Sequence, residues 1–175
     1  MATWTIDKNH SEVSFKVRHL VISSVSGKFK TFEGTVTSEK DDFSDATVQF
    51  SAEVDSIDTG NGQRDGHLKS ADFFDAANYP KITFTSTQVI KKGQKEYSLK
   101  GNLTMRNATK PVELNVEFGG IQKDFQNNTV AGFEINGKIN RHDFNLSWNG
   151  ITEAGSVVVS EDVKININVE LMKKS

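Results

Sequence analysis

The chain has 175 residues, enough for one domain spanning residues 1–175 with a substantial core, and too short for two ordinary domains without a linker. Lys and Arg total 21 against 23 Asp and Glu, a formal charge of -2, so the electrostatic footprint of a nucleic-acid-binding protein is missing and no nucleic-acid partner is expected. The lack of Cys excludes a disulfide framework, a thiolate metal site and a cysteine nucleophile.

The first residues, Met1-Ala2-Thr3-Trp4-Thr5-Ile6-Asp7, have neither a basic n-region nor an apolar h-region, and no later stretch has the length of a membrane span. The expectation is a cytoplasmic protein without an integral membrane segment, or a periplasmic one if a signal peptide has been removed. After Thr3 to Asp7, period-two alternation dominates, which sends successive side chains to opposite faces of a strand. Val13, Phe15, Val17, His19 and Val21 share one face, with Ser14, Lys16 and Arg18 on the other. A strand over Lys28 to Ser38 follows, and Ala46, Val48, Phe50, Ala52 and Val54 then repeat the pattern.

The alternation breaks between Asn61 and Tyr79. There Leu68, Ala71 and Phe74 recur at helical spacing, Asn61 and Ser70 are able to cap, and Tyr79-Pro80 stops the run, so a short helical insertion is predicted near residues 61–79. Strands resume with Ile82 and Phe84, then Tyr97 to Met105, Val112 to Phe118, Phe133 to Ile139 and Val163 to Leu171. About eight or nine strands result. Lys40-Asp41-Asp42, Lys92-Gly93-Gln94, Asn107-Ala108-Thr109, Gly119-Gly120 and Gln126-Asn127-Asn128 read as the short hairpin loops between them.

Strands joined by hairpins rather than helices make an all-β, antiparallel sheet, and closing it into a barrel buries the apolar faces and removes the edges. A sandwich is the alternative. A barrel of about eight strands is just wide enough to be filled by side chains or to hold one elongated ligand. Phe15, Phe29, Phe84 and Phe133 fit either plain core or the walls of an apolar tunnel. Gly27, Gly34, Gly101, Gly132 and Gly137 fall within strands, where corners and bulges explain them better than ligand contact.

Signals for chemistry are weak. The loop Thr59-Gly60-Asn61-Gly62-Gln63-Arg64-Asp65-Gly66 lies between a strand and a helix but lacks the Gly-Lys-Ser/Thr ending of a P-loop, and Asp65 would repel phosphate. His10, His19, His67 and His142 are scattered, with no two spaced to hold one metal from one element. Asp7, Asp65, Asp72 and Asp143 could supply paired carboxylates only through the fold. Arg64, Asp65 and His67, with Asn140 to Asp143, read as a structural network at a barrel mouth.

Several stretches together resemble the YceI-like family. They are Trp4-Thr5-Ile6-Asp7 with His10-Ser11, Val13 to His19, Gly27-Lys28-Phe29, Phe32-x-Gly34, Ser56 to Asn61, Arg64-Asp65-x-His67-Leu68 and Asp72-Phe73-Phe74-Asp75. Tyr79-Pro80, Ile82-x-Phe84-x-Ser86, Gly101-x-Leu103-Thr104, Thr109-Lys110-Pro111-Val112, Asn140-Arg141-x-Asp143-Phe144 and the Val163 to Glu170 strand continue the match in order. The resemblance implies an extended, lipocalin-like antiparallel β-barrel that binds, stores or transports a long-chain isoprenoid lipid, polyprenyl or quinone-like, often as a homodimer.

On that resemblance the lipid would lie against Val13, Phe15, Val17, His19, Phe29, Phe73, Phe74, Phe84, Leu99, Phe133 and Ile135, with Arg64, His67 and Arg141 meeting its head group. No catalytic residue, metal or cofactor beyond the bound lipid is implied. The rival readings are an enzyme acting on a lipid-like or small apolar substrate at the mouth, and a solidly packed, stress-related interaction domain. The family commonly has Gly after Asp-Phe in the Asn-Arg stretch; here it is Asn145, which tolerates φ > 0 better than most residues.

Overall fold

The structure, a computed structural model, describes residues 2–20, 22–146 and 159–174. The strands are β1 (Ala2–Ile6), β2 (Glu12–His19), β3 (Ser23–Phe29), β4 (Phe32–Ser38), β5 (Thr47–Glu53) and β6 (Ile57–Asp58), followed by β7 (Lys81–Lys91), β8 (Glu96–Met105), β9 (Ala108–Lys123), β10 (Thr129–Asn140) and β11 (Asp162–Lys173). The helix α1 (Gly62–Lys69) lies between β6 and β7. Neighbouring strands pair antiparallel in the order β1-β4-β5-β7-β8-β9-β10-β11, and β11 returns to β1, closing an 8-strand barrel. The expected all-β barrel with a helical insertion is what forms.

Some staves of this barrel are broken midway. β1 and β2 are two halves of one stave separated by a 3₁₀ turn at Lys8–His10, and β5 and β6 are separated by another at Val54–Ser56. β3 and β4 flank Lys30-Thr31 in the same way. The halves keep the same neighbours, since β2 pairs with β3 and β1 with β4, while β11 takes β2 along Asn168 to Lys164 and β1 along Leu171 to Lys173. Asp7 makes the first break: its Oδ1 accepts the Asn9 N–H at 3.0 Å and its Oδ2 lies 2.8 Å from His10 Nδ1. These bonds fold the chain through one tight turn instead of letting the ladder continue.

Alternation decides which side chains enter. On β11, Val163, Ile165, Ile167, Val169 and Leu171 face the interior, and on β2, Val13, Phe15 and Val17 do so. Val21, expected on the same face, lies outside the described residues. Where a ring crosses the interior, the opposite strand gives way. The Phe15 ring lies over Gly27, its register partner, where a Cβ would sit 2.5 Å from the ring. Lack of a side chain, not backbone freedom, is what this site requires.

Some turn expectations are corrected. Gly119-Gly120 is not a hairpin but part of β9, with Gly120 opposite Gly132 and the register shifting between Gly132 and Phe133. The twin glycines admit a bulge, with φ +116° at Gly120, and the long strand bends without ending. The β8–β9 turn is Arg106-Asn107, both at positive φ as a two-residue primed hairpin needs, and Ala108 and Thr109 already belong to β9. The stretch at Lys40-Asp41-Asp42 belongs to a longer loop, residues 39–46, which turns into the barrel. Asp45 accepts from Ser38 Oγ and the Glu39 and Lys40 N–H groups, and Asp42 accepts from the N–H and Oγ of Ser44. That loop forms the barrel floor.

At the opposite end, among the described residues, β6 pairs with β3 alone, and α1 with residues 70–80 packs beside it. Asn61 caps α1 by accepting the Arg64 N–H at 3.0 Å, and Ser70 ends it by donating Oγ–H to the His67 carbonyl at 2.6 Å. The predicted insertion is thus one α-helix followed by turns. Among the described residues no helix is long and apolar enough to cross a membrane.

Candidate functional site: an apolar cavity beneath a polar mouth

The barrel encloses a cavity of about 420 Å³, within the range of small-molecule sites. Each residue expected to meet a ligand contributes to its lining. Val13, Phe15, Val17 and His19 come from β2 and Phe29 from β3; Phe84 and Leu99 come from β7 and β8; Phe133 and Ile135 come from β10; and Phe73 and Phe74 follow α1. Aromatic rings form one wall, with Phe29 centred 5.6 Å from Phe15 and 6.1 Å, edge to face, from Phe74. Further lining residues that the sequence reading did not single out for the ligand are Phe43, Tyr97, Leu68, Met105, Leu146 and Val159. Tyr97 and Met105 had the right strand phase, whereas Phe43, Leu146 and Val159 sit in loops where alternation is silent.

Arg64, His67 and Arg141, expected at the mouth, all line the same cavity. Arg64, on the first turn of α1, donates Nε–H and Nη2–H to the Thr59 hydroxyl and carbonyl, each at 2.8 Å. Asp65 accepts from the Thr59 N–H at 2.9 Å and its hydroxyl at 2.6 Å, so Asp65 ties down the loop before α1 and does not enter the cavity. His67 Nε2 lies 2.9 Å from Asp72 Oδ2, with its ring edge-on to Phe73.

Arg141 differs from the other two in burial. It is 3% exposed, and its guanidinium donates to the carbonyls of Ser160 at 2.8 Å, Leu146 at 2.6 Å and Val159 at 3.3 Å. Burial lowers its pKa, with Glu161 acting the other way. The side chain therefore ties the Leu146 carbonyl to those of Val159 and Ser160. It stands on the 3₁₀ turn Arg141–Phe144, which ends at Asn145 with φ 63° and ψ 16°. Asn145 thus adopts the left-handed geometry itself, and its side chain donates to the Arg106 carbonyl at 3.2 Å.

The basic side chains Arg18, His19, Arg64, His67 and Arg141 contribute to the lining, and among the described residues no carboxylate does. Elsewhere, Asp7, His10 and Glu170 bring ligand-type atoms within 4.8 Å of one another at the break between β1 and β2, away from the cavity. His10 is held there by hydrogen bonding to Asp7, which raises its pKa above the usual 6.5, aided by the charges of Asp7 and Glu170.

A closed antiparallel barrel around an apolar cavity that Arg and His side chains also line defines a lipocalin-like architecture. Residues 4–171 match the YceI-like domain, and the chain belongs to the YceI-like family. It is 40% identical over 171 residues to Protein YceI of Salmonella newport (strain SL254), covering 97% of this chain and 86% of that protein. The Campylobacter jejuni YceI crystal structure is similar at 35% identity and TM-score 0.77, over 97% of each chain. Two more distant solved structures share the fold. Burkholderia cenocepacia BcnA has 23% identity and TM-score 0.80 over 94% of this chain and 98% of that one. A polyisoprenoid binding domain from Saccharophagus degradans, implicated in plant cell wall breakdown, has 16% identity and TM-score 0.68 over 98% of each.

Proposed function

We propose that the protein holds a long-chain isoprenoid lipid in the barrel and serves to store or carry it. One observation carries the reading: an apolar cavity to which, among the described residues, Arg and His side chains contribute and no carboxylate does. Each buried methylene contributes about 0.8 kcal/mol, so a prenyl chain gains enough from the walls to offset its lost freedom without any strong single contact. Hydrogen-bond donors at the mouth suit a head group that accepts, such as a quinone carbonyl, a hydroxyl or a phosphate. The polyisoprenoid binding domain of the same fold supports this ligand class.

Binding rather than turnover fits the mouth, because Arg64, His67 and Arg141 bond Thr59, Asp72 and backbone carbonyls and so hold loops in place. The test is organic extraction of gently purified protein, followed by titration of the delipidated chain with a polyprenol. Release or uptake of a prenyl lipid is expected. Protein that yields none and takes up none would return the packed interaction domain as the better reading, and conversion of the offered lipid would favour an enzyme.

A further inference from the structure

Resting on the reading of the cavity as a prenyl-lipid site, we infer that Phe43 is a stop that sets how long a chain the barrel takes. The floor is not closed by strands. It is closed by the loop over residues 39–46, whose Phe43 ring lines the cavity. Phe43 is 3% exposed, and its ring centroid lies 5.0 Å from Phe133, 5.1 Å from Trp4 and 5.4 Å from Phe118. Phe118 and Phe133 stack on each other at 4.9 Å. Four aromatic side chains thus fill the bore at this level, leaving the space above them open.

The backbone at this residue is costly. Phe43 has φ +61°, a left-handed conformation that a bulky side chain adopts only where its surroundings hold it there. Those surroundings are specific. The Asp42 carboxylate accepts from the N–H and hydroxyl of Ser44 and pairs with Lys91, and the Tyr97 hydroxyl donates to the Asp42 carbonyl. On the other side, Asp45 accepts from Ser38, Glu39 and Lys40. Asp42 before the strained residue is tied to β7 and β8, and Asp45 two places after it to the end of β4, so the strain goes into aiming a ring into the bore. A polar hairpin closing the same gap would need neither.

The consequence is a ruler. A chain entering past Arg64 and His67 gains from each isoprene unit until its tail meets Phe43, and further units stay in water and add nothing. The test is equilibrium binding of the delipidated full chain to geraniol, farnesol, geranylgeraniol and longer polyprenols. In the wild type, affinity should rise by about tenfold or more per isoprene unit and then level off. Phe43→Gly removes the ring and relieves the backbone, so levelling should move to a longer prenol. Ala46→Leu, which raises the floor beside Phe43, should bring it to a shorter one and covers the case in which the glycine variant does not fold. Affinity that climbs through the longest prenol in the wild type, or levelling that neither variant moves, overturns the stop while leaving the lipid site intact. Failure of wild type and variants to bind any prenol overturns the lipid reading itself.

Discussion

The Arg141 guanidinium donates to the Leu146 carbonyl at 2.6 Å from a position that is 3% exposed, so a buried cation is held by backbone oxygens at the entrance to the cavity. Removing it strips charge-assisted bonds from several carbonyls at once. Arg141→Ala should lower stability by about 3 kcal/mol or more, read from the denaturant midpoint, and Arg141→Lys should restore only a minor part because it lacks the fork. Losses within about 0.5 kcal/mol for both variants would show that the clamp is idle.

Arg64 is tied through two donors to Thr59 and sits at the same opening. Arg64→Ala should leave binding of an uncharged polyprenol within a few-fold of wild type, because affinity there is spread over many weak contacts. A prenyl phosphate should weaken more. Equal losses for both, with unchanged circular dichroism, would contradict a head-group role.

Val17 lines the cavity from the middle of β2. In a filled core, Val17→Trp would overpack at a cost of about 1 to 3 kcal/mol. In the open barrel the indole takes ligand space, so the delipidated variant should unfold near the wild-type midpoint while failing to take up a polyprenol. A large loss of stability with uptake retained would count against this placement.

Gly101 and Gly132 make a matched pair of strand glycines. At Gly101 a Cβ would lie 2.4 Å from the Phe84 ring and 2.5 Å from the Thr85 carbonyl oxygen, whereas at Gly132 nothing lies within 4 Å. Gly101→Ala should therefore cost about 1 to 3 kcal/mol or more, and Gly132→Ala well under 1, by thermal or denaturant unfolding. Similar costs at the two sites would refute the close approach of Phe84.

The His10–Asp7 pair predicts a pH dependence of definite sign. Hydrogen bonding to Asp7, then the charges of Asp7 and Glu170, raise the His10 pKa above 6.5 in the folded protein. Protons bind more tightly to the native state, so this contribution is complete below pH 6.5 and is lost as pH climbs through the raised value. His10 is exposed, so the effect should be small, visible as a falling unfolding midpoint from mildly acidic to mildly alkaline buffer. His10→Gln should flatten that slope, and an unchanged slope in the variant would assign it to another group.

Much of this architecture was legible in the residues. Val163 to Leu171 alternates so regularly that its inward set could be read directly, and the same phase on β2 and β8 put Phe15, Val17 and Leu99 on the cavity. Asn61 marked the start of the helix, but the run expected to last until Tyr79-Pro80 ends at Ser70 and goes on as turns. Alternation carries no phase through a loop, so Phe43, embedded among Asp41, Asp42, Ser44 and Asp45, gave no sign of facing inward. Gly119-Gly120 misled for a related reason: the residue type that ends strands also lets a long one bend, and only the pairing across β10 tells the two apart. Arg141 was visible as a polar residue at the mouth, but its burial depends on carbonyls at Leu146, Val159 and Ser160, which side-chain patterns do not encode.

Almost every stave of the barrel pairs with its neighbour in the chain, yet the seam joins β1 to β11, setting Trp4 opposite Lys173. During synthesis the earlier staves can curl only into an open sheet, with an unpaired edge on each side and the future interior facing water. Joining strands so far apart carries a loop-closure cost that no hairpin bears, so the seam is the natural slow step of folding. The interior does not grow with the chain; it comes into existence when β11 docks. Until then the apolar faces of the earlier staves have no barrel to enclose them.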